Sequence, residues 1–203
     1  MVKIISLFIL FFITACAVTP LTTGLTGRSL GKGSAELSSA VTGYVPENSN
    51  LALFPSVKIL YGLMDNLDVG FQTELQSFTF NSRFSIINNQ EKGLSLALLG
   101  AASVLSGQFS FYLGASLSYL IQNFEPYLIY RYNMASIDRA KVGLSFFKAS
   151  PDINFQFSSY GLGLKYWLLK EISLGAEGVI LGYTTQASFV TPLVFSLQLS
   201  FIL

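Results

Sequence analysis

The sequence predicts an all-β fold, a transmembrane antiparallel up-and-down β-barrel of about 10 strands, with 8 or 12 as alternatives. Three observations carry this. Apolar residues alternate with polar or small ones at period two along most of the chain after residue 33, the signature of a strand with two unlike faces. Several runs reach about 10 to 13 residues, where globular strands average about 5 to 6 and tilted membrane strands need about 9 to 11. Charged residues are only 11% of the chain and hydrophobic ones 51%, with a mean hydropathy of +0.54. A typical soluble domain carries about 25% charge, so this chain has too little to solvate an ordinary surface.

Residues 1–15 read as a signal peptide. Lys3 is followed by an apolar run from Ile4 to Ala15, about a dozen residues, too short for a spanning helix of about 20 and right for a secretory h-region. Two cleavage readings compete. Ile13-Thr14-Ala15-Cys16 resembles the lipobox of bacterial lipoproteins, in which the cysteine thiol is acylated and the chain is cut just before it. Ala15-Cys16-Ala17 fits ordinary small-x-small cleavage after Ala17. The first reading makes Cys16 the lipidation site and residues 16–32, rich in Thr, Gly, Ser and Leu, a lipidated flexible tether. Cys16 is the only cysteine, so no internal disulfide forms.

Residues 33–203 form the expected barrel, with strands at about 33–44, 51–63, 67–78, 81–88, 93–105, 108–121, 124–134, 156–168, 172–183 and 190–203. The uncharged stretch 93–121 would pass a hydropathy test for a helix, but its period is two. Phe109, Phe111, Leu113, Ala115, Leu117, Tyr119 and Ile121 alternate with Ser110, Tyr112, Gly114, Ser116 and Ser118. Tight turns fall near 64–66, 88–93, 122–124 and 169–171. "YGLMDNLDVG" (61–70) and "YWLLKEISLG" (166–175) share one hairpin design. Residues 135–157 either extend neighbouring strands or add two more. Tyr61, Tyr119, Phe124 and Tyr166 stand on the apolar face near the tight turns and suit an aromatic girdle.

A soluble β-sandwich alternates too, but its outer face needs charges. Here the charges within strands share the polar face: Glu36, Lys58, Asp68, Glu74, Arg83, Glu125, Arg131, Lys165 and Glu177. Arg or Lys facing lipid at mid-depth costs about 2 to 4 kcal/mol, which places these residues in the lumen. Opposite charges confined there are expected to pair into an ion network that fills the barrel. Arg131 is the expected centre, because its fork binds two carboxylates. Tyr127, Trp167 and Tyr183 add bulk.

The chain resembles the bacterial outer-membrane β-barrel proteins over about 33–203. The likeness rests on the strand pattern, on the opening "GRSLGKGSAEL" (27–37) and on the terminal "FSLQLSFIL". It implies an outer-membrane location with the N-terminus on the periplasmic side. It also implies the lipid bilayer as environment, and recognition of the last strand by the barrel-assembly machinery. That strand ends in Leu203 where the family usually ends in an aromatic residue.

No catalytic residues, metal site or cofactor are expected. The chain has no histidine, which removes the usual general base and metal ligand. A formal net charge of +1 gives no basic surface for nucleic acid. The sequence therefore predicts a non-enzymatic barrel with a structural or interaction role through its outer loops. A small passive channel is the second reading and a soluble lipoprotein sandwich a distant third.

Overall fold

The computed structural model describes residues 22–44, 52–74, 77–105, 108–137, 153–182 and 193–203. Ten antiparallel strands close into one barrel. In chain order they are β1 (Ala35–Tyr44), β2 (Ala52–Met64), β3 (Leu67–Glu74), β4 (Ser77–Ile87), β5 (Gly93–Leu105), β6 (Gln108–Leu120), β7 (Phe124–Ile137), β8 (Ile153–Trp167), β9 (Ile172–Leu181) and β10 (Leu193–Ile202). Each strand pairs with its sequence neighbour, and β10 pairs with β1 from Glu36↔Ile202 to Tyr44↔Val194. Closure leaves no strand edge open, which is what a sheet needs where water cannot satisfy its backbone groups.

Side-chain direction follows the period-two reading. Val57, Ile59, Phe71, Leu98, Leu113, Leu117, Leu128, Leu162 and Leu197 project from the outer wall, while Ser56, Lys58, Gln72, Ala97, Ser116, Ser118 and Ser196 are buried inside. Phe78 and Leu197 are 70% and 66% exposed. Such side chains are each worth about 1.5 to 3 kcal/mol on burial, so this exterior suits hydrocarbon and not water. Among the described residues no helix is long and apolar enough to cross a membrane. The uncharged stretch 93–121 is mainly the β5–β6 hairpin.

Three expectations change. The strand expected at 81–88 begins at Ser77, and the connection expected at 79–81 lies instead between Glu74 and Ser77. Asn81, at the edge of the expected strand, lies well inside β4, faces inward and accepts a hydrogen bond from the Tyr112 hydroxyl (3.1 Å). The two extra strands considered within 135–157 are absent from the ring, because β7 and β8 pair directly as far as Ile137↔Ile153. Residues 138–152 lie outside the described residues.

The third change is the largest. Residues 22–32, expected to belong to a flexible tether, lie against the barrel. Thr22, Thr23, Leu25, Thr26 and Ser29 are at most 4% exposed, and their main chain is held inside the lumen. Cys16 and residues 1–21 lie outside the described residues.

Candidate functional site: the occupied lumen

The short turns β2–β3, β4–β5, β6–β7 and β8–β9 lie at one end of the barrel, together with the start of β1 and the end of β10, and the other end carries the longer β7–β8 and β9–β10 connections beside the brief β3–β4 and β5–β6 ones. Residues 22–30 run down the lumen towards that end. At the far side the Thr22 hydroxyl meets that of Thr42 (3.0 Å), and Gln72 donates to the Thr22 carbonyl (3.3 Å). Both partners stand two residues from the opposite ends of their strands. At the near side the Leu30 N–H donates to both Asp68 carboxylate oxygens (3.1 and 3.2 Å), one residue from the start of β3. The chain then reverses through Gly31 and Gly33, at φ +85° and +84°, a region that L side chains rarely adopt. Gly33 donates to the Gly62 carbonyl (2.8 Å) and the chain enters β1.

Between these ends the wall reads the segment mainly through its main chain. Glu177 accepts from the N–H groups of Thr23 (3.4 Å) and Gly24 (2.7 Å). Lys58 donates to the Thr23 carbonyl (2.7 Å) and Ser116 to that of Leu25 (2.8 Å). Arg83 donates to the Thr26 carbonyl (3.3 Å) and Ser85 to that of Gly27 (2.9 Å). Ser118 and Asn88 accept from the N–H groups of Gly27 and Ser29 (each 3.1 Å). A segment with no strand neighbour needs such partners, since each orphaned buried backbone group costs about 1 to 3 kcal/mol. The fit at Gly27 is close: a Cβ there would lie 2.4 Å from the Ser95 carbonyl oxygen and 3.0 Å from that of Ser116.

Arg28 is the segment's one charged group inside the lumen. Its guanidinium donates to Glu125 (2.9 Å) and to the Gln90 carbonyl (3.0 Å), and lies 4.8 Å from the centre of the Trp167 ring. Glu125 also accepts from the Trp167 indole (3.2 Å) and the Ser118 hydroxyl (3.1 Å).

All nine residues expected in the lumen are buried there. Glu36 bridges Lys165 (3.1 Å) and Lys58 (3.8 Å) and accepts from Ser38 (2.6 Å). Asp68 pairs with Arg83 at 2.6 Å. Glu125 and Glu177 instead receive donors from the segment, and Tyr127 adds a hydrogen bond to Glu177 (3.1 Å). Arg131, the expected centre, donates to Ser159 (3.1 Å) and lies 5.5 Å from the centre of the Tyr112 ring. Glu36 is a branch point between two opposite charges. Glu74 is buried near the end of β3, and Tyr183 lies outside the described residues. On the outer wall Tyr61, Tyr119 and Phe124 are exposed beside the short turns, and Tyr166 packs against Phe124 with ring centres 4.7 Å apart.

Two small cavities border the segment. A cavity between Thr22, Lys58, Gln72 and Gln198 measures about 10 Å³, and one between Arg28, Glu36, Arg83 and Trp167 about 40 Å³. These are water-sized volumes. Among the described residues no group of three His, Cys, Asp or Glu side chains is placed to hold a metal.

Neither a protein-family model nor a curated protein matches the chain. Among solved structures, the N-terminal β-barrel domain of Pseudomonas aeruginosa OprF is 13% identical with a TM-score of 0.42, over 85% of this chain and 99% of that one. The KdgM porin, solved in complex with disordered oligogalacturonate, is 8% identical with a TM-score of 0.43, over 83% and 98%. The attachment invasion locus protein Ail of Yersinia pestis is 10% identical with a TM-score of 0.37, over 85% and 99%. Likeness this distant says nothing of what the present barrel does.

The reading from sequence missed Arg28 and the main chain of residues 22–30. Two signals pointed to them. The inward positions Ser85, Ser95, Ala97, Ser116 and Ser118 are too small to fill a ten-stranded lumen, since about eight strands are what side chains just fill. The inward carboxylates Glu36, Asp68, Glu74, Glu125 and Glu177 also outnumber Lys58, Arg83, Arg131 and Lys165 by one, and Arg28 supplies the missing cation.

Proposed function

We propose that this chain is a non-enzymatic bacterial outer-membrane barrel, shut by its own N-terminal segment, which acts through the long connections at the end away from the short turns. The observation that carries this is the main chain of residues 22–30, hydrogen-bonded to wall side chains from Thr22 to Leu30. The apolar outer wall supports a bilayer environment. A ten-stranded ring lined by serines would otherwise leave a water column, and the segment occupies it.

The rest of the reading concerns sidedness. Short turns face the periplasm in barrels of this class. Thr22 stands away from the short turns, so the described segment begins at the outer end of the barrel in this reading; the side expected for the N-terminus concerns residues before Thr22, which lie outside the described residues. We keep Cys16 as the proposed lipidation site on its sequence context alone, Ile13-Thr14-Ala15-Cys16.

Planar-bilayer recording of the purified full-length protein tests the closed reading. The expected result is absent or sporadic conductance. Steady, large single-channel events from the unmodified protein would replace the plugged barrel with an open pore. Mass spectrometry of the mature N-terminus tests lipidation, and a chain starting at Val18 without acyl groups removes it.

A further inference from the structure

The contacts of the plugging segment differ from those of an ordinary core. Its buried main-chain groups are answered one by one by wall side chains, Glu177 on the N–H groups of Thr23 and Gly24 and Lys58 on the Thr23 carbonyl. The Thr23 hydroxyl, also buried, has no hydrogen-bond partner among the described residues. Main-chain hydrogen bonds that make little demand on side chains give affinity without dictating sequence. Selectivity enters at Gly24, held at φ +57°, and at two adjacent positions further on. Gly27 passes so close to the Ser95 and Ser116 carbonyls that no side chain fits without a shift, and Arg28 meets Glu125 and the face of Trp167.

Resting on the reading that residues 22–30 fill the lumen, we infer that the lumen is a binding site for a polypeptide segment that is neither helix nor strand. It selects a glycine followed by an arginine, and it takes such a segment in trans when the chain's own segment is displaced. In the unmodified protein the tethered segment competes at an effective concentration of about millimolar or more, so a free peptide finds the site occupied.

Full-length Gly27→Val protein separates the site from its occupant, because the substitution lies in the segment and leaves every wall residue in place. The probe is a labelled synthetic peptide with the sequence of residues 22–32. The expected result is steady conductance from Gly27→Val, saturable one-to-one binding of the peptide to it, and loss of that conductance on binding. Binding is expected to fall at least tenfold for a peptide that itself carries Gly27→Val, and for the unmodified barrel. Conductance without peptide binding, or binding indifferent to the glycine, overturns the peptide site and leaves the plugged reading standing. A Gly27→Val protein that neither conducts nor binds means the segment stays in the lumen with a side chain at position 27, and the glycine-selective peptide site falls. If Gly27→Val does not assemble, Arg28→Glu sets a carboxylate against Glu125 and repeats the test. The unmodified peptide must then bind and the Arg28→Glu peptide must not; any other result rejects the site.

Discussion

Two parts of the lumen solve the same filling problem in different ways. Beside residues 22–30 the inward side chains are small, as at Ser85, Ser95, Ala97, Ser116 and Ser118, and a length of main chain takes the space. Further from the short turns on β4, β6, β7 and β8, the inward side chains are Asn81, Tyr112, Arg131, Asn133 and Ser159. They fill the space themselves, with Asn133 and Arg131 both bonded to the Ser159 hydroxyl (3.2 and 3.1 Å). The size of the inward residue therefore decides whether a strand pair closes the lumen directly or needs an insert. The second solution is part of the wall. The first is a separate piece of chain and can in principle be withdrawn.

The contrast breaks most visibly at Gly27. Gly27→Val is expected to expel the segment, lose its hydrogen bonds together and turn a silent barrel into a conducting one; bilayer recording and the thermal midpoint in detergent both report it. Arg131→Ala strikes the other part of the lumen. It is expected to lower the thermal midpoint, because the guanidinium held by Ser159 and the Tyr112 ring is lost, yet to give no steady conductance because the segment remains. Equal conductance from the two variants would erase the distinction between the regions.

Neighbouring positions on β6 sharpen the comparison at a smaller scale. Leu117→Arg faces outward and is expected to cost about 2 to 4 kcal/mol if that position is at mid-depth in a bilayer, seen as impaired assembly. Ser118→Arg faces the segment, which has no room for it beside the Gly27 N–H and Glu125. It is expected to displace residues 22–30 and raise conductance while the barrel still assembles. Glu125→Gln should have the smallest effect of the set, about 1.5 to 3 kcal/mol in detergent unfolding, because the amide keeps an acceptor for Arg28 while its charge is lost.

Much of the barrel was legible before any fold was known. Leu94, Leu96 and Leu98 face out and Ser95, Ala97 and Leu99 face in, as period two requires. Leu99, which breaks the polarity of its face, keeps its register and is buried beside Leu25 in the core. The lumen charges were legible for the same reason, since each belongs to a strand whose faces are set by its immediate neighbours. Their partners were not. Glu125 and Glu177 meet residues 97 and 153 positions away in sequence, and no local pattern in Glu125-Pro126-Tyr127 or Ala176-Glu177-Gly178 names them.

The alternation of side chains is enough by itself to set the strand count near ten, the outward apolar face and the inward charges, because a strand's two faces follow from residues two apart. The place of residues 22–30 is a different kind of fact. Their Thr, Gly and Ser composition suits a solvated tether as well as a buried strand. Only the closed ring creates a volume that the serine-lined wall cannot fill, with carboxylates in excess of wall cations, and that volume draws the main chain and Arg28 inside.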